Sequence, residues 1–100
     1  IYQPHTYSRT AYLWENWLNC WKGLDKLIIL ETYAARELPS QGKTANELAD
    51  SITSTPTIYA ATEQEAIEHA IQETSENTVI LTIGAGNITN IAPKILEAIA

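Results

Sequence analysis

Apolar positions along this chain fall into two alternating patterns. Short continuous runs occupy Lys26–Glu31, Thr57–Ala60 and Thr78–Ile83. Runs of this kind suit strands covered on both faces, as in a parallel sheet. Ile1–Gln3 reads as the end of another strand, stopped by Pro4, which has no amide to give to a ladder. Between the runs the period becomes helical. Leu13, Trp14, Trp17, Leu18 and Trp21 share one face of a helix expected from Thr10 to about Gly23, where glycine provides a stop. Thr44 and Glu47 form a capping box, and the helix they open is expected to run to about Thr53. Thr62 and Glu65 form a second box, opening a helix with Ala66, Ile67, Ala70 and Ile71 inward. A last helix carries Ile88, Ile91, Ala92, Ile95 and Ile99. Pro93 is tolerated only in a first turn, so this helix is expected to start near Thr89–Ile91.

The resulting order is β-α-β-α-β-α-β-α. It predicts a single α/β domain over residues 1–100, with a mainly parallel sheet and helices on both faces. No internal repeat, low-complexity tract or second domain is visible. Hydrophobic residues make up 45% and charged residues 18%, a globular rather than a disordered balance. No apolar run approaches the length of a membrane span. The single cysteine, Cys20, excludes an internal disulfide and points to a reducing compartment. It reads as a small buried hydrophobe of the tryptophan helix rather than a nucleophile. The chain contains no methionine and opens inside a strand-like run, so it reads as a piece of a longer protein.

Charge changes the picture more than composition does. The net charge is −6, a poor match to nucleic acid, which requires a basic face. Residues 45–100 carry Lys94 as their only basic residue against eight acids. Residues 1–44 carry five basic residues against four acids, so an anionic ligand belongs with this half.

Ligands of open α/β sheets collect at the carboxyl ends of the strands. Three loops are expected there: Pro4–Thr10, Thr32–Lys43 and Gly84–Thr89. The first concentrates His5, Thr6, Tyr7, Ser8, Arg9 and Thr10 before a helix. A helix start offers unpaired amides and partial positive charge, and a guanidinium matches a carboxylate at two points. Two readings stay open. In one, this loop is a carboxylate or phosphate site. In the other, Ser8 or Thr10 caps the helix and Arg9 is solvated. The Gly84-Ala85-Gly86 loop is a partial dinucleotide fingerprint only: its third glycine would fall at Thr89, and no acidic residue follows at the needed distance. His69 has no second histidine or cysteine near it in sequence and reads as an ordinary histidine rather than a ligand. No phosphate loop, HExxH pair or GxSxG elbow occurs.

Three segments together carry a family resemblance. They are Gln3-Pro4-His5-Thr6-Tyr7-Ser8-Arg9-Thr10, Glu31-Thr32-Tyr33-Ala34-Ala35-Arg36-Glu37 and Leu81-Thr82-Ile83-Gly84-Ala85-Gly86-Asn87-Ile88. In order and spacing they resemble motifs of the Mur ligase family of peptidoglycan synthesis, in the branch that adds the first amino acid. The resemblance covers essentially the whole chain. It implies most of a C-terminal, Rossmann-like three-layer domain, truncated at its N-terminal side, within a three-domain cytoplasmic enzyme. The implied reaction uses ATP and Mg²⁺, bound mainly by the central domain, to activate UDP-N-acetylmuramate as an acyl phosphate. L-alanine then attacks to form the amide. The N-terminal and central domains of the same chain are the implied partners, and this piece alone is expected to be inactive. His5 and Arg9 would hold the amino-acid carboxylate. Thr6 stands where many members have arginine, and offers a hydroxyl in place of a charge. Tyr33 and Arg36 would shape the alanine side of the cleft. The competing expectations are a related ligase that recycles murein peptides and a non-catalytic Rossmann-like binding module.

Overall fold

The protein is described by a computed structural model covering all residues, Ile1–Ala100. Two continuous strands pair in parallel: β1 (Leu27–Leu30) and β2 (Thr57–Ala60), in the register Leu27↔Thr57 through Leu30↔Ala60. Every residue of β1 is buried, as its unbroken apolar run predicts. Its side chains alternate between two cores. Ile28 and Leu30 join Ala66, Ile67 and Ala70 of α4 (Glu63–Glu73) and Ile91 and Ile95 of α5 (Ile91–Ile99). Leu27 and Ile29 join Ala45, Leu48 and Ala49 of α3 (Ala45–Ser51), together with Tyr2 and Trp21. The strand pair therefore has helices against both faces.

The outer segments follow the same direction without becoming strands. Tyr2 bridges in parallel to Ile29 on one side and to Ile83 on the other. With the pairing of Ile29 to Tyr59, this makes a row Ile83–Tyr2–Ile29–Tyr59 across the fold. The expected strand Thr78–Ile83 is reduced to this bridge. Its cross-strand backbone bonds all go to Ile1–Gln3: the Ile1 ammonium donates to Leu81 O, the Ile83 amide to Ile1 O, and the Gln3 amide to Ile83 O. Thr78–Ile80 have no neighbour to extend the ladder, and Val79 is 83% exposed, with Leu81 and Ile83 also uncovered. The accessible surface, 6159 Å², slightly exceeds the roughly 5,700 Å² expected for this mass.

The expected tryptophan helix starts earlier and is broken. α1 spans Tyr7–Tyr12 and α2 spans Trp14–Asn19, with Leu13 between them at φ −103°, ψ 23°. Trp14, Trp17 and Leu18 are partly buried against the second core and Trp21 is fully buried in it. Leu13 is exposed. Trp17 stacks on Tyr2 at 4.8 Å and on Trp21 at 5.9 Å. Burial in this stack, with a smaller contribution from Cys20, pushes the Tyr2 phenol up to about 12. Cys20 itself is exposed, against expectation, because the helix ends at Asn19 and turns it outward. Its thiol is pushed up by partial loss of water.

The Thr44–Glu47 capping box forms as expected, with both reciprocal bonds. The Thr62–Glu65 box is half formed. Thr62 accepts the Glu65 amide, but the Glu65 carboxylate reaches the Ala61 amide instead. Ile71, expected inward, is 37% exposed, one position beyond buried Ala70 on the α4 face. Pro93 sits in the first turn of α5, as its chemistry requires. No helix is long and apolar enough to cross a membrane.

Candidate functional site

The first loop turns from the row into α1 at Thr6, which holds the left-handed value φ 64°. Such a backbone persists in a non-glycine residue only when its surroundings fix it. Here they do: the Thr6 amide donates to Tyr33 O at 2.8 Å, and the Tyr33 amide to Pro4 O at 2.9 Å. Thr6 is the helix cap, where Ser8 and Thr10 were the expected candidates. Its hydroxyl accepts the Arg9 amide, and the Thr10 hydroxyl donates to the Thr6 carbonyl. Thr6 is buried, with its hydroxyl turned to the helix start.

The amides expected to be open for a ligand anion are occupied by the chain itself. One Glu37 oxygen accepts from the Tyr7 and Ser8 amides at 2.8 and 2.9 Å, and the other from the Ser8 hydroxyl at 2.5 Å. The Ser8 hydroxyl, helped by the Ser8 and Tyr7 amides and by Arg9, holds this carboxyl below its usual range. The same loop then straps α1. Gly42 lies so close to Tyr7 that a Cβ there would meet the Tyr7 carbonyl. The Lys43 amide donates to Tyr7 O at 3.1 Å, and the Lys43 ammonium sits 5.3 Å above the Trp14 ring.

Beyond this cap, α1 presents Arg9 to a cleft of about 370 Å³. It is lined by His5 and Arg9 of the first loop and by Gly84 and Ala85 of the third, and Tyr2 and Trp17 lend aromatic lining. Arg9 Nη1 is 3.5 Å from His5 Nδ1, the outer limit of a hydrogen bond. A guanidinium only donates, so the tautomer that matches this contact has Nδ1 as acceptor and Nε2 as the N–H. The arrangement offers a ligand the remaining guanidinium donors beside an imidazole N–H, a donor set suited to a carboxylate. His5 stacks on Tyr33 at 5.4 Å. Tyr33 thus joins the group through His5. Arg36 does not: it is exposed, at φ 73°, and has no ion-pair partner. A second, larger cleft of about 520 Å³, mainly apolar, opens at the amino ends of the strands between Trp21, Leu24 and Val79.

Glu31 is engaged structurally. It accepts the Tyr59 hydroxyl at 2.5 Å and the Thr32 amide at 2.9 Å. Burial, then the Glu31 contact, raises the Tyr59 phenol. No group of three His, Cys, Asp or Glu side chains converges to hold a metal, and half-buried His69 is no exception.

Sequence reasoning passed over Gln3, Glu37 and Gly42. Gln3 carried a signal: it is a polar residue between Tyr2 and Pro4 in a run that ends a buried segment. Glu37 and Gly42 carried none, because their partners lie about thirty positions away, in α1.

No protein-family model matches the chain. Its sequence is similar to curated proteins named UDP-N-acetylmuramate–L-alanine ligase. That of Thermobifida fusca is 33% identical over 99 residues, covering 99% of this chain and 21% of the relative. That of Acidobacterium capsulatum is 35% identical over 97 residues, covering 97% and 21%. That of Caldanaerobacter subterraneus subsp. tengcongensis is 37% identical over 99 residues, covering 97% and 22%. The chain spans about a fifth of the length of these relatives. Over nearly its whole length, therefore, the chain matches the C-terminal region of UDP-N-acetylmuramate–L-alanine ligases, members of the Mur ligase family that its three loops resemble.

Proposed function

We propose that this chain serves as the C-terminal domain of an ATP-dependent UDP-N-acetylmuramate–L-alanine ligase, a cytoplasmic enzyme of peptidoglycan precursor synthesis. In this reading it positions L-alanine for attack on an acyl phosphate and closes the active site. The observation that carries it is the Arg9–His5 pair at the mouth of the smaller cleft. Arg9 grips the amino-acid carboxylate, with His5 Nε2–H as a further donor and the Tyr33 ring holding His5 in plane. The fold is read as a Rossmann-like, three-layer domain, supported by the parallel row and by helices on both faces. Thr6 supports the site by fixing the start of α1, and Arg36 reaches the cleft only if its loop moves.

In this reading ATP and Mg²⁺ are bound mainly by the central domain. No three metal-binding side chains converge, and the space beside Gly86 is filled by Gln3 and Tyr33 rather than left for a phosphate. The work left to this domain is positioning and water exclusion. An acyl phosphate is destroyed by water, so a domain that delivers the amine and closes the cleft together serves both needs.

The test is Arg9→Ala in a full-length ligase carrying this domain. Losing a charge-assisted contact of about 1.5–3 kcal/mol raises the KM for L-alanine roughly tenfold to a hundredfold. The KM for ATP stays near its normal value. Unchanged saturation by L-alanine would show that Arg9 does not hold the carboxylate.

A further inference from the structure

One buried side chain outside the charged pair has its hydrogen-bonding atoms shared between the other two loops. Gln3 is 3% exposed. Its Nε2 donates to the Glu31 carbonyl at 3.1 Å and to Asn87 Oδ1 at 2.9 Å. Its Oε1 accepts the Ile88 amide at 3.1 Å. Glu31 leads into the Thr32–Lys43 loop, Asn87 and Ile88 belong to the glycine loop, and Gln3 itself leads into the His5–Arg9 loop. A primary amide provides two donors and an acceptor oxygen, a set that neither a carboxylate nor an ammonium can supply.

The glycines fit the same junction. A Cβ on Gly86 would lie 2.7 Å from Gln3 Oε1 and 2.7 Å from Tyr33 Cδ2. A Cβ on Gly84 would lie 3.1 Å from the Gln3 carbonyl oxygen. Gly86 has φ −100°, outside the left-handed region, so its missing side chain serves close approach rather than a special backbone. The glycine loop is pressed onto Gln3 and onto the ring that stacks on His5.

We propose that Gln3 is a positioning residue, the amide junction that sets the glycine loop against the His5–Arg9 loop and so fixes the spacing of the cleft that receives the amino-acid carboxylate. This rests on the reading of that cleft given above. Gln3 acts through His5 and Arg9 and through the loop opposite them. Displacements of about 1 Å in such a frame cost up to about a hundredfold in rate or binding.

The test uses a full-length ligase carrying this domain and three variants. Gln3→Leu removes all the side-chain bonds. Gln3→Glu keeps the acceptor for Ile88 and loses both donors. Gly86→Ala crowds Gln3 and Tyr33 while removing no hydrogen-bonding group. Each is expected to raise the KM for L-alanine about tenfold or more, with the KM for ATP changed less than about twofold. Gln3→Leu combined with Gly86→Ala is expected to cost little more than the worse single change, because both break one junction. Gln3→Glu is expected to recover part of its L-alanine affinity as pH falls, when a protonated carboxyl regains one donor. A normal KM for L-alanine in both Gln3→Glu and Gly86→Ala overturns the proposal, and so does an equal rise for both substrates. Should Gln3→Leu fail to fold, these two variants decide. Arg9→Ala separates the two levels. If it leaves L-alanine saturation normal, the cleft reading fails. If it raises the KM while Gln3→Glu and Gly86→Ala remain normal, only the role of Gln3 fails.

Discussion

Gly42→Ala adds one methyl group to an exposed-looking loop, and the contacts of that loop turn it into a severe change. Gly42 has φ −174°, outside the left-handed region that favours glycine. The cost is steric. The new Cβ would meet the Tyr7 carbonyl carbon and oxygen, and lie 2.7 Å from the Ser8 amide nitrogen. These are backbone atoms of α1 and have no rotamer to change, so loop and helix must separate. Overpacking of this kind costs about 1–3 kcal/mol. Separation also lengthens the bond from the Lys43 amide to Tyr7 O, worth about 0.5–1.5 kcal/mol. The expected loss is about 2–4 kcal/mol, or roughly 10–30 °C in Tm for a domain of this size. Thermal unfolding followed by tryptophan fluorescence measures it, with Ser40→Ala, an exposed change in the same loop, as control. Lys43 lies over Trp14, so the native emission of the variant shifts as well. A Tm within about 2 °C of the parent would refute the strap, since exposed substitutions free of such contacts stay within about 0.5 kcal/mol.

Three more outcomes are expected. Glu37 has a carboxyl held below its usual range in the folded chain, so its cap is complete above the ordinary carboxylate range and is lost as pH falls through the lowered value. Protection of the Ser8 amide, its exchange compared with the intrinsic rate at the same pH, therefore falls in acid, and Glu37→Gln flattens that dependence; a parent chain whose protection does not fall counts against the cap. Cys20 is exposed but its thiol is raised, so alkylation at neutral pH runs slower than for a free cysteine, and a rate equal to or above that reference would contradict the assigned environment. The 100 residues alone form no amide from UDP-N-acetylmuramate, L-alanine and ATP, and measurable product from them would sink the division of labour proposed between domains.

The parts of the fold readable from sequence were those governed by neighbours. β1 announced itself because four consecutive apolar residues have no solvent face, and α3 because Thr44 and Glu47 cap each other locally. Thr78–Ile83 has an equally strong β pattern, yet a strand needs a partner along its length, and only Leu81–Ile83 finds one. The break at Leu13 was hidden because the tryptophan period continues across it. At the site, Arg9 and His5 were legible as charge beside a helix start. Glu37 was not, since nothing in its own surroundings says that it would fill the amides of α1. The second Thr-x-x-Glu box shows the limit of a local rule: the spacing allows the reciprocal bond, and Glu65 takes the Ala61 amide instead.

The row Ile83–Tyr2–Ile29–Tyr59 also sets an order of events in time. Tyr2 leaves a ribosome before its outer neighbour, which follows 81 residues later. At about 5–20 residues per second, roughly 4–16 s separate the two. Until then β1, β2 and α3 can associate, but Tyr2 has one neighbour and Gln3 lacks Asn87 and Ile88. Pairings this distant in sequence close slowly even in a finished chain. Of the three loops at the cleft, the one that carries Arg9 is made before the others and is set in place last.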